Sequence, residues 1–212
     1  MKYGLMPRAM WLCFHGSFER ELYRMCSFDA QSVMSRAGKR YREILRPIPE
    51  FEEGDRFLIN ILSASMLAAV YLELPEKPVV KQVEDFYHHA MTDNAVMKLF
   101  LKKSGNYTNK ARAKLARQAE DSAGRAARNP YTWRFTYEPG PDRNSYSTVF
   151  TACGIKHLFE TLGIEEITPA MCTYDYDMAQ LGGSVFTREY TLAGGGPCCD
   201  CHYCKRTKDG GK

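Results

Sequence analysis

Residues 168–206, TPAMCTYDYDMAQLGGSVFTREYTLAGGGPCCDCHYCKR, decide the fold. Thr168-Pro169 begins a helix, because proline is favoured in a first helical turn, and the helix reaches about Leu181, where Gly182-Gly183 ends it. A strand, a turn and a second strand are predicted to follow, at residues 184–192, 194–197 and 198–206. The segment therefore predicts a helix followed by an antiparallel hairpin.

The region just upstream mixes strand and helix signals. Residues 131–137, YTWRFTY, are rich in aromatic and Thr residues and are predicted to form a strand. Residues 138–142, EPGPD, are typical of a turn. Residues 149–162 are predicted to form an amphipathic helix that Gly163 closes.

The first two-thirds of the chain is predicted to be helical. Apolar residues recur at helical spacing in residues 57–74 and 79–101, and a third helix is predicted at residues 109–127, which are rich in Ala, Lys and Arg. We expect an α+β fold in which N-terminal helices pack with a small antiparallel sheet and a C-terminal helix-helix-hairpin unit. One domain would span residues 1–206, with a mainly helical part at 1–128 and an α/β part at 129–206, and residues 207–212 would form a flexible tail.

Composition excludes several classes of protein. Hydrophobic residues make up 44% and charged residues 25% of the 212, with a net charge of +4, as is ordinary for a globular protein. The apolar segment 57–74 includes Asn60 and Glu73, so we expect a core helix or a homodimer interface and no membrane span. The basic residues between 110 and 128 are interrupted by acids and lack interleaved aromatics, so no nucleic-acid partner is expected.

Eight cysteines accompany an N-terminus without an export signal, which predicts reduced thiols in the cytoplasm. Alternation along the last strand places Cys199, Cys201 and Tyr203 on one face and Asp200 and His202 on the other. A thiol beside a guanidinium would hold more thiolate, as a nucleophile requires. The alternative is that these thiols are small buried hydrophobes.

The stretch from Tyr146 to Tyr203 resembles the C-terminal signature of the L-2-amino-thiazoline-4-carboxylic acid hydrolase family. The matching residues are Phe150, Cys153, Cys172, Asp175, Gly182, Arg188, Thr191-Leu192, Gly195 and Cys199-Asp200. This sequence departs from the family pattern where Cys201-His202 replaces Phe-Arg, which puts the role of that Arg in doubt. The signature more distantly resembles 4-vinyl reductase type ligand-binding domains, which are α+β folds around a small-molecule cavity.

The resemblance implies hydrolysis of a small cyclic C–N/C–S compound, 2-amino-thiazoline-4-carboxylate, to N-carbamoyl-cysteine. It implies Cys199 as the reactive thiol, with Cys153 and Cys172 next, and Asp175 or Asp200 as the carboxylate that grips the amidine. Arg188 would hold the substrate carboxylate through two parallel hydrogen bonds. Thr191 and His202 complete the expected substrate-binding set, and no organic cofactor is implied.

Two other interpretations remain open. The residues Cys199, Cys201, His202 and Cys204 lie close enough in sequence to suggest a zinc site, although a regular strand directs them to both faces. A non-enzymatic ligand-binding or sensory module of the same fold is the other alternative, because a fold hosts many functions.

Overall fold

The structure is a computed structural model that describes residues 1–25, 29–101 and 107–206, apart from the side chains of Phe100 and Leu101. Its α-helices are α1 (Leu5–Met25), α2 (Ala30–Leu45), α3 (Leu58–Glu73), α4 (Val80–Thr92), α5 (Ala95–Leu101), α6 (Asn109–Arg128), α7 (Gly154–Leu162) and α8 (Thr168–Leu181). Its strands are β1 (Arg134–Pro139), β2 (Ser145–Ala152), β3 (Ser184–Thr187) and β4 (Cys199–Lys205). The predicted α+β class is confirmed. The predicted tail, 207–212, lies outside the described residues.

Helix α3 lies at the centre of the helical part. Every residue from Ile61 to Tyr71 is buried, as expected of a helix that is apolar on all sides. Helices α1 and α2 pack against it, and Arg36 and Arg40 of α2 pair with the Glu73 carboxylate at its end. The apolar segment 57–74 therefore serves the core of this chain. No helix in the described ranges is long and apolar enough to cross a bilayer.

The four strands form one antiparallel sheet in the order β1-β2-β4-β3. Phe150 of β2 pairs with Cys199, Thr148 with Cys201, and Tyr146 with Tyr203. Since side chains alternate between faces, these six side chains share one face of the sheet, and Phe135 and Phe186 extend it on the outer strands. This inner face looks towards α3, α4 and α8.

Two predicted helices prove to be wrong in their extent. Residues 149–152 belong to β2, and α7 begins only at Gly154; the buried Tyr146 and Thr148 follow the period of a strand. The predicted helix 79–101 is broken after Thr92, because the Asn94 side chain accepts from the N–H groups of Val96 and Met97 and starts a new helix, α5.

The C-terminal hairpin pairs as predicted, but its first strand is shorter. The pairing of β3 with β4 stops at Thr187 instead of Leu192, because the N–H groups of Glu189 and Tyr190 donate to the Asp200 side chain and not to β4 backbone carbonyls. The second strand begins at Cys199 and ends at Lys205, one residue inside each predicted limit. The helix 168–181 is confirmed.

Gly154 is a position where any side chain meets the backbone of another segment. A Cβ there would overlap the Tyr131 carbonyl. We expect Gly154→Ala to lower the free energy of unfolding by about 3 kcal/mol in urea denaturation, as overpacking of a rigid contact does. Gly16→Ala is the matched control, because its Cβ would meet nothing within 4 Å in helix α1, and it should be neutral or stabilising. Equal stability of the two variants would contradict this close approach.

Candidate active site

A cavity of about 380 Å³ separates the inner face of the sheet from the helices. Strands β2 and β4 supply one wall, and α3, α4 and α8 supply the other. Its walls carry two kinds of side chain. Thiol and charged groups cluster near α8 and β4, and aromatic rings line the part over β1 and β2. A concave site that combines apolar walls with a few polar groups is the usual form of a small-molecule site.

Among the residues that the structure describes, four cysteines line this cavity from three different elements. Cys199 and Cys201 come from the inner face of β4, Cys172 from α8 and Cys153 from the N-cap of α7. The Cys199 sulfur also accepts from the Leu192 N–H at 3.2 Å. The structure therefore brings together the three thiols that the family resemblance singled out, and adds Cys201.

An ion pair between Asp175 and Arg188 lies beside these thiols. Asp175 follows Cys172 by three residues on α8, so the two side chains share one helix face. The Arg188 guanidinium donates to Asp175 Oδ2 at 2.8 Å and to the Cys172 carbonyl at 2.9 Å. Its side chain is only 6% exposed, and Phe186 packs against it with 5.4 Å between guanidinium carbon and ring centroid.

Burial raises the pKa of Asp175 to about 6, although the Arg188 charge and hydrogen bond act in the opposite direction. The side chain lines the cavity and is 32% exposed, so its burial is incomplete. A carboxyl group with this pKa is ionised at neutral pH yet basic enough to accept a proton there. Asp175 therefore has the properties of a general base.

Burial also raises the pKa of all four cavity thiols. The pKa rises to about 11 for Cys153 and to about 12 for Cys201, and it is raised for Cys172 and Cys199 as well. Arg188 favours the thiolates of Cys172, Cys199 and Cys201, but desolvation is the larger effect at each. The thiolate expected beside the guanidinium is thus not favoured, and these groups are protonated at neutral pH.

Three of the predicted site residues lie away from the thiols. The Asp200 carboxylate accepts hydrogen bonds from the N–H groups of Glu189 and Tyr190. Burial raises the pKa of Asp200, but these hydrogen bonds lower it, and the pKa falls below its usual value. Thr191 Oγ1 accepts from the Gly194 N–H at 2.9 Å. The His202 ring is exposed on the outer face of the sheet and bonds to Ser147 Oγ at 2.8 Å. In this structure Asp200 and Thr191 shape the loop after β3.

Comparison with known proteins identifies the family. The sequence model for L-2-amino-thiazoline-4-carboxylic acid hydrolase matches residues 60–203, which is more than half of the chain. The chain belongs to this hydrolase family. No curated protein and no solved structure matched it. The matched range includes Cys153, Cys172, Asp175, Arg188 and Cys199, so the thiol and acid cluster of the cavity lies inside the family region.

The residues suggested for zinc do not converge. Cys199 and Cys201 face the cavity, while His202 and Cys204 are exposed on the opposite face of β4. Among the described residues of this hydrolase-family chain, no group of three or more His, Cys, Asp or Glu side chains is arranged to hold a metal ion.

Two buried hydroxyl groups that line the cavity are not among the site residues predicted from the sequence. Thr148 and Tyr174 line it, and within the described ranges neither hydroxyl has a hydrogen-bond partner. Unpaired buried polar groups are rare and call for an explanation, such as a bound ligand or water. The strand alternation around Thr148 was the signal that would have placed it on the inner face.

The raised thiol pKa values predict slow chemical modification. Since the thiolate is the reactive form, we expect iodoacetamide at about pH 7.5 to label the exposed Cys13 and Cys204 at least about tenfold faster than Cys199. Peptide mass spectrometry over time measures each rate, and labelling of Cys199 should accelerate as the pH rises. Cys199 among the fastest sites would contradict its protonated state.

Proposed function

We propose that this protein hydrolyses a small cyclic isothiourea that carries a carboxylate, and that 2-amino-thiazoline-4-carboxylate represents the class. One observation carries the proposal: a carboxyl group with a pKa of about 6, Asp175, lies beside Arg188 and protonated thiols in one cavity. Membership of the hydrolase family supports it. The reaction uses water as its only co-reactant.

Arg188 binds the substrate carboxylate in this proposal. A guanidinium has five N–H donors. Asp175 and the Cys172 carbonyl each engage one, and the Cys201 thiol also forms a hydrogen bond with Arg188. The donors that remain would bind the substrate carboxylate, and low exposure would strengthen this charge-assisted bond. The same contacts hold Asp175 and Arg188 in a fixed orientation, so the substrate meets a site that is already assembled.

Asp175 activates the water. Its carboxylate takes one proton as the water oxygen bonds to the carbon between the two nitrogens and the sulfur, and it passes this proton to the ring nitrogen in the tetrahedral intermediate. The C–S bond then breaks as the hydroxyl gives its proton to the Asp175 carboxylate and becomes the urea carbonyl. The leaving sulfur gains a proton, which gives N-carbamoyl-cysteine.

A cavity thiol supplies the proton to the leaving sulfur, and Cys199 is the first choice. A protonated thiol is a poor nucleophile, but it is a suitable acid for a thiolate leaving group of similar basicity. Asp175 then restores Cys199 with the proton that it took from the hydroxyl as the C–S bond broke. The family resemblance implied that Cys199 is the reactive thiol. Here Cys199 acts as an acid and not as a nucleophile, because burial keeps it protonated.

The test is incubation with 2-amino-thiazoline-4-carboxylate, with N-carbamoyl-cysteine quantified by mass spectrometry. Wild type should form product, and Cys199→Ala should lose about a hundredfold or more in kcat, as loss of a general acid does. Cys153→Ala should retain more activity, and Cys13→Ala, at an exposed position, should match wild type. Absence of product from wild type would overturn the proposal.

A ligand-binding module is the second candidate, and the protonated state of all four cavity thiols favours it. A binder of this kind would raise its melting temperature with the thiazoline carboxylate but form no product. Thermal unfolding with and without the ligand, beside the product assay, separates the two functions.

A further inference from the structure

The cavity is larger than the thiazoline carboxylate needs. Its volume of about 380 Å³ is roughly that of a dozen liquid waters, at about 30 Å³ each. The thiazoline carboxylate has about nine non-hydrogen atoms, and covalent bonds pack them more closely than about nine separate waters. That compound alone would leave a substantial part of the cavity without protein or ligand contacts.

The unused part lies over β2 and β1, beside the thiols of β4. On the inner face Cys199 neighbours Phe150, and Phe150 neighbours Phe135. Adjacent strands are about 4.8 Å apart, so the cavity floor changes from thiol to aromatic over about 10 Å. Phe57 stacks on Trp133 with ring centroids 4.6 Å apart, and both line the cavity at this aromatic end.

The aromatic end suits an apolar group better than water. Phe57, Phe135 and Phe150 pack together, with 5.6 Å between the ring centroids of Phe57 and Phe135 and 5.2 Å between those of Phe135 and Phe150. Arg56 also lines the cavity, with its guanidinium carbon 5.7 Å from the Phe57 ring centroid, but the ring faces themselves offer water few hydrogen-bond partners and favour an apolar group. The buried Thr148 hydroxyl, beside Cys201, is an unpaired polar group at the boundary of the two ends.

We propose that the natural substrate is a cyclic isothiourea carboxylate with an aromatic-sized apolar substituent, whose head lies at Asp175 and Arg188 and whose substituent packs against the cavity-facing side of Phe57, Trp133 and Phe150. This inference rests on the proposed function for the chemistry of the head. The Thr148 hydroxyl hydrogen-bonds to the polar junction between head and substituent, which removes its unpaired state.

Trp133 permits a direct test that does not depend on turnover. The chain has two tryptophans, and Trp11 lies against Tyr41 outside the cavity lining. Trp11→Phe therefore leaves Trp133 as the sole tryptophan, which excitation at the red edge of the absorption band selects over the tyrosines. The probes are the parent thiazoline carboxylate, its 2-benzylamino derivative and its 5-phenyl derivative, which extend from the exocyclic nitrogen and from the ring carbon next to the one that bears the carboxylate. At least one derivative should bind about tenfold to a hundredfold more tightly than the parent and change Trp133 emission at saturation.

Variants separate specificity from folding. Trp133→Leu should remove most of the gain in affinity for the derivative while leaving the affinity for the parent within about threefold. Trp11→Leu is the matched control and should leave both affinities unchanged. If Trp133→Leu fails to fold, titration of Trp11→Phe with the three probes still tests whether a derivative binds beside Trp133.

The outcomes distinguish this inference from the proposed function. Product from the parent, with neither derivative bound more tightly and Trp133 emission unchanged, would overturn the inference and leave the hydrolase intact. Tight binding of a derivative with a change in Trp133 emission, but no product from any compound, would support the aromatic subsite and refute the hydrolysis.

Discussion

Asp175→Asn should reduce kcat/KM for the thiazoline carboxylate by about a thousandfold, the range in which a general base contributes. The amide keeps the shape of the side chain and still accepts a hydrogen bond from Arg188, but it cannot take a proton from water. Steady-state product formation at neutral pH measures the effect. Circular dichroism should show that the variant folds.

The same substitution leaves the Arg188 charge without its acidic partner. Removing one member of a buried pair is destabilising, here by about 1–3 kcal/mol because Asp175 meets the cavity solvent. The double variant Asp175→Asn/Arg188→Gln removes both charges, so it should recover stability in urea denaturation while remaining inactive. Near-normal turnover by the folded single variant would refute the role of Asp175.

Arg188→Gln should shift the acid limb of the pH profile to higher pH. The guanidinium lowers the pKa of Asp175 against the effect of burial, so without it the carboxyl group should titrate above about 6, by roughly one unit or more. A base that is protonated more at neutral pH is less active there, and loss of the carboxylate anchor raises KM in addition. Both effects are measured by kcat and kcat/KM between about pH 5 and pH 9.

Arg134→Gln is a suitable control for Arg188→Gln. Arg134 is exposed and donates to Thr151 Oγ1 on the sheet, outside the cavity lining. Its replacement should leave the midpoint of the profile unchanged. An unshifted midpoint in Arg188→Gln would mean that the guanidinium does not control the proton affinity of the base.

Local signals in the sequence predict the parts of the fold whose causes are local. Thr168-Pro169 and Gly182-Gly183 delimit α8 for local reasons, because proline fixes its own φ at the start and Gly183 adopts a positive φ at the end. The shared face of Cys199 and Cys201 is confirmed because strand alternation needs no knowledge of the partner strand. Strand β2 was predicted as a helix over its second half because a short apolar run has no clear period of its own.

The site depends on contacts that lie far apart in sequence. The pairing of Arg188 with Asp175 follows from how β3 packs on α8, and no local pattern contains it. The role of Asp200 depends on where the loop after β3 turns back onto the sheet. The sequence does not predict the state of the thiols, because both their distance from Arg188 and their burial, the larger effect here, require the fold.

The pH dependence of kcat/KM for wild type with the thiazoline carboxylate tests the central claim most directly. If Asp175 is the base, N-carbamoyl-cysteine formation should rise by about tenfold per pH unit below a midpoint near 6 and level off above it. A profile that keeps rising through pH 8 and above would indicate a thiolate nucleophile and contradict this account.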